Sequence, residues 1–199
     1  GCTFWSREAM TGFEAVALDF ESTGVVAGHP NEPWQIGIAP IVGGRVGEGL
    51  FESLLRVGAR PFNPHAPGRH ALLRDQIAAA PSLHELWPRI MPRLSGRCLV
   101  AHNAGTERSL LAAAAPLHVF GPWIDTLPLA RAAWPGLPSY ELERLVAIFG
   151  LADGVAGLCP GRAPHDALYD AVACGALLLH LLRQPGWETL TATELAAMS

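Results

Sequence analysis

Lysine is missing altogether: all fourteen basic side chains of this 199-residue chain are arginine. Arginine suits bidentate phosphate contacts, although genome composition is the simpler explanation for the absence of lysine. Charge of either sign is scarce, at 16% of residues against 50% hydrophobic, which excludes a disordered chain and leaves a compact globular one. No apolar run reaches the roughly 20 residues of a membrane span; the longest, Ala171 to Leu182, is interrupted by His180. The first residues carry Glu8 and Glu14 and no basic-then-apolar pattern, so no secretory signal is expected. Cys2, Cys98, Cys159 and Cys174 form no Cys-x-x-Cys pair, which argues for reduced thiols in a cytoplasmic protein and against a disulfide or zinc framework. No repeat and no linker divides the chain. Residues 1–199 are therefore expected to form one domain, with a core over about 13–183 and a tail over 184–199.

The net charge of −4 argues against a non-specific nucleic-acid coat, but its distribution is uneven. Nine arginines face five acids over residues 45–108, whereas the flanking segments 1–44 and 109–199 are both acidic. A basic centre of this kind is compatible with phosphate contacts and does not establish them.

The nearly continuous apolar run from Phe13 to Glu21 ends in two carboxylates and predicts a strand buried on both faces. Trp34 to Val42 predicts a second strand, and the Gly43-Gly44 turn returns a third over Arg45 to Arg56. A Pro/His loop from Pro61 to Gly68 leads to helices over His70 to Ala80 and Ser82 to Leu94. Ser82 and Glu85 have the spacing of a capping box. Short buried strands are expected at Arg97 to Ala101 and Trp123 to Asp125. Helices follow at Thr106 to Ala115, Leu127 to Trp134 and Ser139 to Phe149. Gly150 to Pro164 reads as a loop, after which Pro164 opens a long apolar helix that Pro185-Gly186 ends. Thr191 to Met198 can add a short last helix. The order of elements is that of an α/β domain with a mixed five-stranded sheet flanked by helices.

Asp19 and Glu21, two apart on a strand, point to one face. Burying both at a central strand's end costs several kcal/mol unless a cation or donors compensate, and hard divalent cations take such oxygen ligands. The alternative is a strand that has reached solvent, and chance alone supplies roughly 0.4 Asp-x-Glu per chain of this composition. Glu107 falls in the first turn of its helix, where an acid complements the dipole, yet Leu110 and Leu111 place it on the core-facing stripe. His165 and Asp170 would lie about 140° apart on one helix, so they meet only if His165 sits in the preceding loop. Asp166 is most simply a first-turn acid. His102 and Asn103 occupy a strand–helix turn and suit local backbone contacts. His29, His84, His118 and His180 show no partner pattern. Six tryptophans invite a base-stacking reading, but most are expected to be core or packing aromatics; Trp34, beside Gln35 and near the carboxylate strand, is the least bland of them.

The order of these fragments resembles that of the DEDD 3′–5′ exonucleases. Leu18-Asp19-Phe20-Glu21-Ser22-Thr23-Gly24 is similar to their first motif, with Ile36-Gly37 in the next strand. His70, with Pro81 eleven residues on, resembles the substrate-side segment of the proofreading epsilon subunit of DNA polymerase III. Val100-Ala101-His102-Asn103-Ala104 resembles the second motif, followed by Ile124-Asp125-Thr126-Leu127 and by Pro135 to Leu142. His165-Asp166-Ala167-Leu168-Tyr169-Asp170-Ala171 resembles the third motif of the DEDDh subgroup, which includes ribonuclease T and carries a catalytic histidine. The likeness runs from Ala15 to Leu182. It departs from the pattern at Thr106-Glu107, where an aromatic and an aspartate are usual, and at Gln35, where many relatives have glutamate.

The resemblance implies a ribonuclease H-like fold and a metal-dependent 3′–5′ exonuclease that releases nucleoside 5′-monophosphates from single-stranded DNA or RNA. It implies two divalent cations, Mg²⁺ or Mn²⁺, held by Asp19, Glu21, Glu107 and Asp170, with His165 taking the proton of the attacking water. Phe20, Ser22, Thr23, Gly24, His70 and Asn103 would meet the terminal nucleotide, and a polymerase or other replication or repair protein could be a partner. Two alternatives stay open: a catalytically weakened nucleic-acid-binding module, and a phosphodiesterase acting on short oligonucleotides.

Overall fold

The computed structural model describes residues 12–199, so the expectations for Cys2 and Glu8 lie outside the described residues. The first strand, β1 (Ala15–Ser22), pairs antiparallel with β2 (Pro33–Val42) and parallel with β5 (Leu99–Ala101), which pairs parallel with β6 (Trp123–Asp125). β3 (Arg45–Val46) and β4 (Phe51–Leu54) both pair with the far side of β2. The sheet therefore has six segments where five strands were expected, because the third strand is broken in two. The break at residues 47–50 contains Gly47 and Gly49, both at positive φ (137° and 70°). It lies opposite Ala39 and Pro40, and a proline supplies no N–H to a ladder.

Side-chain alternation along β1 decides what covers each face. Val16, Leu18 and Phe20 join Ile36, Ile38 and Phe51 in one core, covered by α2 (Leu83–Leu94) and α3 (Gly105–Ala114). Ala15 and Ala17, with Ala39 and Ile41, face the other core, beneath α7 (Ala167–Leu181). Alanine and glycine on that face let the helix come close. A Cβ on Gly37 would stand 2.2 Å from the Ala167 carbonyl oxygen. Thirteen of the fifteen α7 residues are buried; the exceptions are Asp170 and His180. An all-round apolar helix of this kind is an interior helix, and each fully buried leucine among 177, 178, 179 and 181 contributes roughly 1.5–3 kcal/mol. At 15 residues α7 is also too short to span a bilayer, and no helix among the described residues is long and apolar enough to do so.

Several boundaries differ from expectation. Residues 70–73 form a turn, and helix α1 covers only Arg74–Ala79. The Ser82–Glu85 capping box forms as predicted, with bonds of 2.7 and 3.1 Å. Helix α4 (Thr126–Ala133) is capped by Asp125, and α5 is shorter than expected, at Leu142–Ile148. The Gly/Pro-rich stretch after it is not all loop, because α6 (Ala152–Leu158) forms there around buried Val155. Pro164 is not the first helical residue of α7. His165 has φ +66° and Asp166 is the N-cap, so the helix starts three residues later. A final helix, α8 (Ala192–Ala197), carries its own Thr191–Glu194 capping box.

Candidate active site

Asp19 and Glu21 continue the face of β1 that begins with Ala15 and Ala17, so they stand at the end of the strand under the start of α7. Asp19 is paired in register with Gly37, the residue on which Ala167 rests. This contact between small residues brings Asp170, in the first turn of α7, to the two strand carboxylates. Glu21 is 5% exposed, and its strand register slips at Glu21/Ser22, a local irregularity common beside functional sites.

Glu107 arrives from the opposite layer. Its helix presents Glu107, Leu110 and Leu111 inward, and the Glu107 Oε1 accepts the Phe20 backbone N–H at 3.3 Å. That N–H lies beyond the last β1–β5 pair, Ala17 with Val100, so the sheet leaves it to the carboxylate. The start of α3 is held by Asp125, which accepts the Asn103 and Ala104 N–H groups at 2.9 Å each and that of Leu127 at 3.0 Å. Asn103 has φ +61° in this turn.

Four carboxylates thus crowd one buried place, and each holds its proton more tightly than usual. Burial raises Asp19 well above the carboxylate range, and Asp170, Glu107 and Glu21 add to the effect. Burial and then Asp170 push Glu21 up to about 9. Burial raises Glu107 to about 7 against the opposing pull of its backbone hydrogen bonds. Asp170 rises to about 6, again by burial, with His165 opposing. The Oδ2 atom of Asp19 is buried and has no hydrogen-bond partner among the described residues. Hard oxygen donors, mutual repulsion and an orphaned carboxylate oxygen together fit divalent cations, which would supply the missing positive charge.

His165 sits in the loop before α7 with its side chain half exposed, and its backbone N–H donates to Asp170 Oδ1 at 3.3 Å. Ligand atoms of Glu21, His165 and Asp170 lie within 4.8 Å of one another. The imidazole Nε2 is 3.8 Å from Glu143 Oε2. An open cleft of about 680 Å³ runs away from His165 and Asp170 past Asn103, Leu127, Arg131 and Tyr140.

The other expected residues are placed less uniformly. Phe20 is buried in the β1–α2 core and offers only its backbone to the site. Ser22 spends its carbonyl on the Trp34 indole N–H at 3.2 Å. Thr23 is buried, its hydroxyl accepting the Glu32 N–H and donating to the Gly24 carbonyl. Gly24, at φ +74°, abuts Asn63, where a Cβ would approach to 2.7 Å. His70 packs against Phe62 and Trp34, with ring centroids 5.1 and 6.2 Å apart, rather than along the cleft. Trp34 is 1% exposed, so it cannot stack on a base. His102 bonds Thr126 Oγ1 and the Tyr140 carbonyl at 2.8 Å each, a structural role as expected but through partners 24 and 38 residues away rather than local backbone groups.

Gly68, Arg131 and Glu143 border the site without having been singled out by the sequence, and Tyr140 comes from the Pro135 to Leu142 segment of the family resemblance. The Pro61–Gly68 loop crosses Glu21 so closely that a Cβ on Gly68 would stand 2.9 Å from Glu21 Oε2. No local periodicity announces such a contact, although Glu143 immediately follows the Pro135 to Leu142 segment.

An exonuclease family model matches residues 16–178. Exodeoxyribonuclease 10 of Escherichia coli strain K12 is 30% identical over 137 residues, covering 69% of this chain. A DNA polymerase III subunit epsilon-like protein of Rhodobacter capsulatus is 30% identical over 171 residues, covering 84% of it. The chain spans 56% of the length of the first relative and 23% of the second. Among solved structures, exonuclease X in complex with 5′ overhanging duplex DNA superimposes with a TM-score of 0.70 at 27% identity, over 92% of this chain and 98% of that one. The mixed sheet with flanking helices is accordingly the expected ribonuclease H-like fold.

Proposed function

Because the chain belongs to the exonuclease family, we propose that it is a metal-dependent 3′–5′ exonuclease of the DEDDh type, removing nucleotides from the 3′ end of single-stranded DNA or RNA as nucleoside 5′-monophosphates. The observation that carries this reading is the unpartnered, buried Asp19 Oδ2 amid three further carboxylates, with His165 beside them. In this reading Asp19, Glu21, Asp170 and Glu107 hold two cations, Mg²⁺ or Mn²⁺. When bound, such cations screen the carboxylates from the phosphate and stabilise the charge that develops on the scissile phosphodiester.

The chain's own residues supply the rest. His165, exposed at the cleft mouth, accepts the proton of the attacking water at a ring nitrogen. Asn103 and Tyr140 line the path of the strand, and Arg131 gives this cleft a cation to meet an upstream phosphate. The end of β1 from Phe20 to Gly24 faces the terminal nucleotide, with the Phe20 N–H and the Ser22 carbonyl already engaged by Glu107 and Trp34, while His70 stands off the cleft against Phe62 and Trp34. Glu107 keeps its carboxylate in the acid cluster although it is one methylene longer than the usual aspartate, which supports a catalytic protein over a silent binding module. A replication or repair protein, a polymerase among them, is the partner class this reading suggests, in the cytoplasm. Strands of DNA and RNA labelled at either end, incubated with Mn²⁺ or with EDTA, test it. Metal-dependent release of a single labelled nucleotide from the 3′ end is the expected result; products released first from the 5′ end, or none with Mn²⁺, would overturn it.

A further inference from the structure

Arg162 belongs to none of the motifs and to none of the acid cluster. Its guanidinium donates from Nη1 to Asp166 Oδ2 at 2.9 Å and from Nη2 to Glu52 Oε2 at 3.0 Å. Asp166 directly follows His165 and is the most heavily bonded side chain near it. Its Oδ1 caps α7 by accepting from Leu168 and Tyr169, at 3.0 and 3.1 Å. Its Oδ2 also accepts Gln35 Nε2 at 2.9 Å. Gln35 is 2% exposed, accepts the Ala167 N–H at 2.9 Å through Oε1, and reaches Glu52 Oε1 at 3.5 Å.

Only an amide can serve all of these partners. A glutamate at position 35 could accept from Ala167 but could not donate to Asp166, and it would set a third carboxylate against Asp166 and Glu52. With glutamine there, the single Arg162 cation faces two carboxylates across sequence separations of 4 and 110 residues. The pairs are partly buried, with Arg162, Glu52 and Asp166 at 31%, 19% and 21% side-chain exposure, so solvent screens them less than a surface pair.

His165 depends on this arrangement because little holds its ring directly. The imidazole is half exposed, and its ion-pair contact is the 3.8 Å approach to exposed Glu143. Its backbone sits at φ +66°, a left-handed conformation that strains a non-glycine residue and persists when the surroundings enforce it. We propose that Arg162, acting with Gln35 through Asp166, is a positioning residue for His165: it fastens the loop between α6 and α7 to the β2–β4 edge and so sets where the imidazole stands beside Asp170. The proposal rests on the exonuclease reading for its catalytic consequence, but the position of the ring can be read without activity.

The test compares wild type, Arg162→Ala, Arg162→Lys and Gln35→Glu, with each substitution repeated in a His165→Ala background. Cleavage of a 3′-labelled strand is measured alongside NMR of ring-labelled histidines, the His165 signal being assigned by its loss in His165→Ala. Arg162→Ala should lower kcat about tenfold, equivalent to about 1.4 kcal/mol, with KM changed less than about twofold. Arg162→Lys should fall between it and wild type, since an ammonium lacks the fork that serves two carboxylates. In the His165→Ala background the Arg162 substitutions should cause no further loss, and the His165 signal should shift while that of distant His84 does not. An unchanged kcat with an unmoved His165 signal would overturn the proposal, as would an equal fold-loss without His165. Should Arg162→Ala fail to fold, Gln35→Glu decides by the same two readouts. Should wild type cleave nothing, the exonuclease reading falls and the His165 signal alone decides the positioning claim.

Discussion

Freed of divalent cations, Glu107→Gln should be more stable than wild type at pH 8, by a margin that disappears as pH falls. Burial raises the Glu107 carboxyl from 4.5 to about 7 in the folded protein, and unfolding returns it to the ordinary value. A carboxylate whose folded pKa lies above its unfolded one binds its proton more tightly when folded. Its favourable contribution is therefore complete below the unfolded value and is lost as pH climbs through the folded value. The window here runs from 4.5 to about 7. At about 1.4 kcal/mol for each pH unit of displacement, the loss for this group is about 3 kcal/mol, a large share of the roughly 5–15 kcal/mol that holds a domain folded. Glutamine keeps the oxygen that accepts the Phe20 N–H and removes the titration. Urea unfolding in EDTA, run from pH 5 to pH 8, should show the variant gaining about 2 to 3 kcal/mol on wild type across that range. Adding Mn²⁺ should shrink or reverse the difference, because the cation stabilises only the chain that keeps its ligand. A stability difference independent of pH, or one favouring wild type as pH rises in EDTA, would refute the claim that Glu107 is a buried, repelled carboxylate.

Asp19→Ala should abolish cleavage while the melting temperature in EDTA is no lower than wild type, because the orphaned Oδ2 leaves with the side chain; residual wild-type cleavage would remove Asp19 from the site. His165→Ala should depress kcat by about 10²-fold or more with strand binding, measured by fluorescence anisotropy, within about twofold. Glu107→Asp should not raise Mn²⁺-dependent activity, since the shorter side chain withdraws from the Phe20 N–H, and Glu107→Ala should cut activity about tenfold or more, as followed by nucleotide release. Gly37→Ala should destabilise by about 3 kcal/mol or more in thermal or urea melts, because its Cβ meets the Ala167 backbone at 2.2 Å and neither strand nor helix can step aside cheaply.

The fold was largely legible because it is written in local signals. The apolar run into Asp19 and Glu21, the Gly43-Gly44 turn and the Ser82–Glu85 box each act over a few residues, and the structure contains all three. The misreadings arose where a local rule met a tertiary demand. Gly150 to Pro164 reads as loop by composition, yet Val155 finds a buried place under α7 and pulls α6 into a helix. Pro164 satisfies the rule for a first helical residue, yet Asp166 is the cap because Gln35 and Arg162 hold it there. Trp34 looked available to a base by its neighbours in the sequence, whereas β2 carries it wholly inside.

Strand period alone put Asp19 and Glu21 on one face; that Glu107 and Asp170 join them was implied by the family resemblance, since Glu107 reads equally well as a first-turn acid. Residue order determined the family, through motifs in order along the chain. Tertiary structure decided everything that depends on approach. Gly37 matters because α7 rests on it, Gly68 because a loop crosses Glu21, and Arg162 because Glu52 and Asp166 stand on either side of it. The contacts of Gly68 with Glu21, Arg162 with Glu52 and Gly37 with Ala167, which are 47, 110 and 130 positions apart, have no period and leave no pattern in the chain. They exist only once the sheet and α7 have packed, and the strength of each charge then follows from how much water that packing removes.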